Sequence, residues 1–427
     1  MNEITIEPRG PLRGALCVPG DKSIGHRALL INALTNGKAR VRGAKLAGDL
    51  VATMNGLRAL GVEISVGQDE ITVKPPKSGF SEPPRSIDCQ NSGTTMRVMT
   101  GILASQPFHS VLTGDESLLR RPMMRVVHPL REMGATIDGR ANAHRAPLAI
   151  RGGVLGFCRH DLKIASAQVK TAILLAGLEN GVALREPRPS RDHTERMLHA
   201  MGAGLRRAKG WLILTPSMDR LRPLDVEVPG DISQAAFAMV AASLVRGSEV
   251  IFRRIGCNES RCGIVAALKS MGADIEVDPH RHTGIEPIAD IVVRQAPLHG
   301  ARIDGDLTLR CLDELPVLAV AAAFAEGDTV IADAGELRAK ESDRIERTIS
   351  GLRALGVEVE SRQDGMVISG GRPRGPARVD AANDHRIAMS FAIAGMAAQG
   401  GVTIVGADAI ESSYPDFFET MEALIDG

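Results

Sequence analysis

The sequence predicts an α/β (α+β) fold of two similar domains, each built from three copies of one strand–helix unit. Three observations predict it. The chain has 427 residues, too many for one ordinary hydrophobic core and suited to two domains of about 200 residues. The segment Val18-Pro19-Gly20-Asp21-Lys22-Ser23 returns as Val228-Pro229-Gly230-Asp231-Ile232-Ser233, 210 residues further on. Apolar helices with polar N-terminal heads begin near Lys22, Ser92, Ser166, Ile232, Asp313 and Asp384, at spacings of 66 to 81 residues. That period is too long for a solenoid, so three units packed around shared helices is the better arrangement.

In chain order, Met1 to Ile6 alternates as a strand and lacks the basic and apolar regions of a signal segment. The first polar head, Asp21 to Arg27, opens the helix that runs through Leu34. Strands follow the head helices at Gly37 to Val41, Gly181 to Leu184, Gly247 to Phe252, Gly327 to Ile331 and Gly400 to Val405. A second helix in the unit ends on glycine. Gly56-Leu57-Arg58-Ala59-Leu60-Gly61-Val62-Glu63 is echoed by Gly351-Leu352-Arg353-Ala354-Leu355-Gly356-Val357-Glu358, with looser relatives ending at Gly134, Gly202 and Gly272. Glycine there predicts a left-handed cap before the next strand. Each unit reads strand, helix, strand, helix, strand. The two Pro-Gly-Asp elements predict the crossings. Residues 21–230 form one domain, and residues 1–20 rejoin 231–427 in the other, with hinges near Pro19-Gly20 and Pro229-Gly230.

Composition narrows the function. Lys+Arg and Asp+Glu are both 51, so no net field favours nucleic acid and anion binding falls to local clusters. Aromatic residues make up 3 %, with one Trp211 and one Tyr414, poor material for stacking bases. The six cysteines show no C-x-x-C spacing and no zinc pattern, which predicts reduced thiols in a cytoplasmic protein and no metal. Apolar runs such as Leu315 to Ala325 fall short of a membrane span. No G-x-G-x-x-G opens a βαβ unit, and Asp21 breaks the order of a P-loop, so a nucleotide cofactor is not expected.

The heads carry the chemistry. The first has Lys22, Ser23 and Arg27; the second Asn91, Ser92, Gly93, Thr94 and Arg97; the third Ser166, Gln168 and Lys170; the fifth Asp313 and Glu314; the sixth Asp384, His385 and Arg386. Arg120-Arg121-Pro122, Arg191-Asp192-His193 and Lys340-Glu341-Ser342-Asp343-Arg344 lie between them. Taken singly, a Ser or Asp before a helix is a cap and an arginine pair is a solvated surface. The coincidence of loaded heads at equivalent places in a repeat, with the fourth head (Ile232, Ser233, Gln234) bare, predicts a site. Helix N-termini add partial positive charge, which favours anions.

Pro19 to Arg27 resembles the signature of the 5-enolpyruvylshikimate-3-phosphate (EPSP) synthase family, and Asn91-Ser92-Gly93-Thr94-Thr95-Met96-Arg97 resembles its second signature. Arg121-Pro122-Met123, Ser166-Ala167-Gln168-Val169-Lys170, Arg191-Asp192-His193-Thr194-Glu195, Lys340 to Arg344 and Asp384-His385-Arg386 look like its remaining motifs, in order. The forms at Ser166 and Arg191 are similar to the more divergent bacterial class. The resemblance implies two domains of three βαβαββ units, joined by two crossover strands, with the active site in the cleft between them. It implies enolpyruvyl transfer from phosphoenolpyruvate to the 5-hydroxyl of shikimate 3-phosphate in the shikimate pathway, with no cofactor and a monomeric chain.

By motif match, Lys22, Asn91, Gly93, Arg121, Gln168, Arg344 and Arg386 would hold phosphoenolpyruvate. Lys22, Ser23, Arg27, Ser166, Gln168, Arg191, Asp313 and Lys340 would hold shikimate 3-phosphate. Asp313 would be the base and Glu341 the acid, with Lys22 assisting; burial or neighbouring carboxylates, Asp343 being a candidate, are expected to keep Glu341 protonated. Many members carry a lysine just before the final aromatic-Pro-Asp segment, where this chain has Ser412-Ser413-Tyr414-Pro415-Asp416. Two rival readings are a UDP-N-acetylglucosamine enolpyruvyl transferase and a non-catalytic anion-binding scaffold. Gly114 to Pro122 lacks the reactive cysteine of the first, and Asp313, Glu341 and Lys22 are superfluous to the second.

Overall fold

The computed structural model describes residues 3–216, 221–280 and 284–426. The chain divides into two compact units. One comprises Met1–Pro19, Pro229–Thr283 and Pro287–Gly427; the other comprises Gly20–Val228 and Gly284–Glu286. Each has its own apolar core.

Among the described residues the strands form six small sheets, three per unit, with one repeated pattern. A short strand lies parallel to the strand that follows a head helix; an antiparallel hairpin completes five of these sheets, and a single antiparallel strand completes the sixth. In the second unit of the repeat, Ile87–Asp88 pairs in parallel with His109–Thr113, which pairs antiparallel with Arg145–Arg151 and through it with Thr136–Gly139. The same order holds for Arg159–Asp161, Val182–Arg185, Trp211–Leu214 and Leu205–Ala208.

At the Pro-Gly-Asp elements the opening strands are exchanged. Arg13–Leu16 precedes the first head helix in the chain but pairs with Glu249–Gly256, beyond the fourth. Val226–Glu227 precedes the fourth head helix but pairs with Ala39–Arg42, beyond the first. The sixth sheet draws its last strand, Glu3–Ile6, from the start of the chain, against Val402–Val405. Of the predicted N-terminal strand, Met1 and Asn2 lie outside the described residues.

The head helices run Lys22–Asn32, Gly93–Ala104, Ala167–Ala176, Ile232–Leu244, Leu315–Ala323 and His385–Ala397. Five of these starts fall within a residue of those expected, and the caps explain why. Asp21 accepts from the Ile24 amide, Ser92 from Thr95, Ser166 from Val169, Asp231 from Ser233 and Asp384 from Arg386. These side chains satisfy amides that a helix start leaves open. The fifth differs: one 3₁₀ turn, Leu312–Glu314, precedes the helix. Pro316, which has no amide hydrogen to donate, sits in the helix's first turn.

These helices are buried on nearly all sides, so their small residues matter. A Cβ built on Gly101 would meet the Ala172 carbonyl oxygen at 2.2 Å, which fixes how closely Gly93–Ala104 and Ala167–Ala176 approach. The glycines predicted to close the second helices, Gly61, Gly134, Gly202, Gly272 and Gly356, all have positive φ, between 76° and 107°. All six cysteines stand as free thiols. Among the described residues no helix is long and apolar enough to cross a membrane, and no group of three or more His, Cys, Asp or Glu could hold a metal ion.

Candidate active site

The expected site residues fall into two clusters, one in each unit. In the unit built on Gly20–Val228 the cluster is basic. Lys22, at the first turn of its helix, donates to Asp49 Oδ2 at 2.9 Å. The Arg121 guanidinium donates to Asn91 Oδ1 at 2.6 Å, and Asn91 donates in turn to Asp115 at 2.7 Å. The arginine pair is therefore split. Arg120 is exposed on Glu116, whereas Arg121 is buried against the second head.

Gln168 bridges the second and third heads. Its oxygen accepts from Arg97 Nη1 at 2.7 Å and its amide donates to Thr94 Oγ1 at 2.9 Å. Arg27 ties the first head to the third. It donates to Thr194 Oγ1, the Ser23 carbonyl, Thr171 Oγ1 and the Ala167 carbonyl, at 2.9 to 3.3 Å. Burial, then the nearby Arg191, pushes its pKa down to about 10, so it remains a cation at neutral pH. Ser166 spends its hydroxyl on the Val169 amide at 3.5 Å, and Ser23 sits half-buried beside the Arg27 contact.

Gly93 is crowded. A Cβ there would lie 2.9 Å from Arg97 Nη1 and 3.2 Å from Arg121 Nη1. Both guanidinium groups are pinned, by Gln168 and Asn91, so neither yields without breaking a hydrogen bond. The family resemblance puts phosphoenolpyruvate at Gly93; on that expectation Gly93→Ala raises its KM on the order of tenfold, about the cost of one such bond, and leaves shikimate 3-phosphate binding near its original value. Steady-state kinetics in each substrate check this.

In the other unit the cluster mixes cations and carboxylates. Asp313 Oδ1 accepts from Lys340 Nζ at 3.1 Å and lies 3.5 Å from Arg344 Nη1. Arg344 is 1 % exposed and gathers two more carboxylates: Glu341 Oε2 at 2.6 Å and Asp384 Oδ2 at 2.8 Å. Arg386 Nη1 donates to the Asp313 carbonyl at 3.0 Å. Lys340 to Arg344 is therefore no exposed helical run, because its last residue begins the helix Arg344–Ala354 as a buried cation. Burial would lift the Asp384 carboxyl, but the Arg344 guanidinium beside it holds it below the ordinary carboxylate range.

Two expectations need correction. Asp343 is not the carboxylate beside Glu341. It caps the Glu346 amide at 3.1 Å and pairs with Arg338 at 2.7 Å, while Asp384 shares Arg344 Nη2 with Glu341 and Asp313 meets the same guanidinium at Nη1. The helix start at Arg344 demands a cap at Asp343, which turns its side chain away. The fourth head is not bare either. Arg261, 3 % exposed, donates to Asp231 Oδ1 at 2.9 Å and Ser233 Oγ at 2.8 Å, and Ser233 hydrogen-bonds Glu314. A lone arginine 30 positions downstream gives no sequence signal. Asp49, the partner of Lys22, and Glu286, the partner of His193 at 2.8 Å, carry no sequence signal either. Where many members of the family carry their late lysine, Ser412 turns its hydroxyl to the Ala409 carbonyl, and Ser413 accepts from Gln234.

Burial pushes the His26 imidazole down to about 3, against Asp49 and with Lys22 adding to the shift. The unfolded chain takes up this proton near 6.5 and the folded chain near 3, so the unfolded state binds more protons across that window. Stability therefore falls as pH drops through it, by about 1.4 kcal/mol per pH unit. Urea unfolding is expected to show this loss between about pH 6 and about pH 4, with a shallower slope in His26→Asn.

A sixfold α/β repeat with fixed cations in one unit and a cation-braced carboxylate cluster in the other suits polyanionic ligands. Comparison with known proteins identifies the family. The profile described as EPSP synthase (3-phosphoshikimate 1-carboxyvinyltransferase) matches residues 6–421. The chain is 48 % identical over 420 residues to the 3-phosphoshikimate 1-carboxyvinyltransferase of Herpetosiphon aurantiacus, covering 97 % of each chain. It is 48 % identical over 423 residues to the enzyme of the same name from Syntrophotalea carbinolica, covering 98 % of each. A solved structure of EPSP synthase from Acinetobacter baumannii matches with a TM-score of 0.88 at 39 % identity, over 99 % of this chain and 98 % of that one. The enolpyruvyl transferase NikO from Streptomyces tendae, at 19 % identity and a TM-score of 0.79 over 98 % of this chain and 96 % of that one, shares the fold. The chain belongs to the EPSP synthase family.

Proposed function

We propose that this protein transfers the enolpyruvyl group of phosphoenolpyruvate to the 5-hydroxyl of shikimate 3-phosphate, with the residues of its two clusters in the following roles. Asp313 takes the proton of the 5-hydroxyl. The freed oxygen bonds to C2 of phosphoenolpyruvate as Glu341 gives a proton to C3, producing a tetrahedral intermediate. The C2–O bond to phosphate then breaks, a proton returns from C3 to Glu341, and phosphate leaves carrying the electron pair. Lys22 offsets charge on the departing phosphate. Lys22, Asn91, Gly93, Arg121, Gln168, Arg344 and Arg386 hold phosphoenolpyruvate. Lys22, Ser23, Arg27, Ser166, Gln168 and Arg191 hold the phosphate and carboxylate of the shikimate, while Asp313 and Lys340 hold its ring hydroxyls. The enzyme works as a monomer in the cytoplasm, without a metal or organic cofactor.

The observation that carries the reading is the contact of Asp313 with Lys340 and Arg344, with Glu341 on the same guanidinium. That arrangement holds one carboxylate against a lysine suited to sugar-like hydroxyls and another beside a cation suited to a carboxylate or phosphate. It is more elaborate than simple anion binding requires. Phosphate release from phosphoenolpyruvate is the test. Release is expected with shikimate 3-phosphate and not with UDP-N-acetylglucosamine; the reverse pattern would assign the other enolpyruvyl transfer, and release with neither would leave a binding protein.

A further inference from the structure

A line of four buried side chains runs beneath the first two polar heads, and none has a role in the chemistry proposed above. His26 Nδ1 lies 2.7 Å from Thr53 Oγ1, Thr53 Oγ1 lies 2.7 Å from Thr95 Oγ1, and the Thr95 hydroxyl donates to Ser92 Oγ at 2.7 Å. All four side chains are fully buried. They belong to three elements: His26 to helix Lys22–Asn32, Thr53 to helix Gly48–Ala59, and Ser92 with Thr95 to the start of helix Gly93–Ala104.

The proton directions follow from the Ser92 end. A hydroxyl has one proton to give. Thr95 gives its proton to Ser92, so Thr95 accepts from Thr53, and Thr53 then accepts from His26. The imidazole must donate through Nδ1 and leave Nε2 bare. Nε2 is buried and has no hydrogen-bond partner, which suits a nitrogen without a proton better than an orphaned N–H. The burial that keeps His26 neutral acts in the same sense.

We propose that His26, Thr53 and Thr95 form a positioning relay that sets the Asn91–Gly93 turn relative to Lys22, and so controls phosphoenolpyruvate binding selectively. The inference rests on the placement of phosphoenolpyruvate at the second head given above. The spacing along helix Gly48–Ala59 supplies the link. Asp49, which holds Lys22, lies one turn before Thr53, and its carbonyl stands 3.5 Å from the Thr95 hydroxyl. One helix thus carries the partner of Lys22 on one turn and the partner of Thr95, which in turn holds Ser92, on the next. On the shikimate side Lys22 is shared, but Arg27 is held separately. Arg27 is fixed by Thr194, Thr171 and the Ala167 and Ser23 carbonyls, none of which belongs to the relay.

Thr53→Val keeps the shape and removes the hydroxyl, while Thr53→Ser keeps the hydroxyl. The valine variant is expected to raise the KM for phosphoenolpyruvate on the order of tenfold. Its shikimate 3-phosphate dissociation constant, measured by calorimetry without phosphoenolpyruvate, should stay within about twofold of the original value, and the serine variant should restore the KM. An unchanged KM, or an equal weakening of both substrates, would overturn the relay. His26→Phe provides a second route to the same split should the valine variant not fold. Nitrogen NMR of the unmodified protein tests the proton directions without any substitution: the expected neutral Nδ1–H tautomer supports the relay, and the Nε2–H tautomer refutes it. Failure of the unmodified protein to release phosphate with shikimate 3-phosphate would instead count against the proposed reaction.

Discussion

Asp313→Asn is expected to lower kcat by about a thousandfold, within the range that a positioned acid or base contributes. Asparagine retains an oxygen for Lys340, which Asp313 accepts from at 3.1 Å, so the cluster geometry should survive while the proton acceptor is lost. Glu341→Gln is expected to act comparably, because its amide oxygen can still face Arg344, now 2.6 Å from the carboxylate. The two losses should not add. Both side chains meet the same guanidinium, and residues acting in one proton sequence couple strongly. Turnover with saturating substrates, alongside calorimetric binding of shikimate 3-phosphate, separates the effects. Near-normal turnover in either single variant would remove that residue from its role.

Arg344→Met should be the most damaging single change to stability. It strands Asp384, which is fully buried and hydrogen-bonded by Arg344 through two nitrogens, at 2.8 and 3.2 Å. Removing one partner of a buried pair costs about 3–5 kcal/mol, because the remaining charge stays out of water. Arg344→Lys is expected to rescue little, since an ammonium cannot address Asp384 and Glu341 with a planar fork. The pH dependence should reverse sign. In the native protein the Asp384 carboxyl is held below its ordinary range, so its contribution is present above that range and is lost as pH falls. Without Arg344, burial and the nearby Glu341 both raise the carboxyl, against the weaker pull of His385 and the Ser342 and Arg386-amide hydrogen bonds, so the variant should regain stability as pH falls and the group takes up its proton. Urea unfolding of the variant, with Arg344→Met/Asp384→Asn as the companion that removes the stranded charge, measures both effects.

The local rules were all legible in the chain. Asp21, Ser92, Ser166 and Asp384 announce helix starts because each side chain serves an amide two or three residues ahead, a relation written into adjacent positions. Gly61, Gly134, Gly202, Gly272 and Gly356 announce helix ends because a positive φ is far cheaper without a Cβ. The repeat of those signals, and the excess of charge at selected heads, nominate Lys22, Arg27, Asp313 and Arg386, whereas Glu341 and Arg344, in a run between heads, take their expected roles from the family resemblance.

The pairings were not legible. Lys22 finds Asp49, His193 finds Glu286 and Arg261 finds Asp231, partners 27, 93 and 30 positions apart with no periodic relation to one another. The exchange of Arg13–Leu16 and Val226–Glu227 is of the same kind, since a strand's own sequence states that it will pair and leaves its partner open. By itself, then, the sequence determined the repeat, the caps and the identity of the chemical groups, because these depend on neighbours within a turn or two of backbone. The tertiary structure alone decided which carboxylate faces which cation, and so which of Asp343 and Asp384 shares a guanidinium with Glu341, because a buried charge is stable only beside whatever opposite charge folding brings within hydrogen-bond reach.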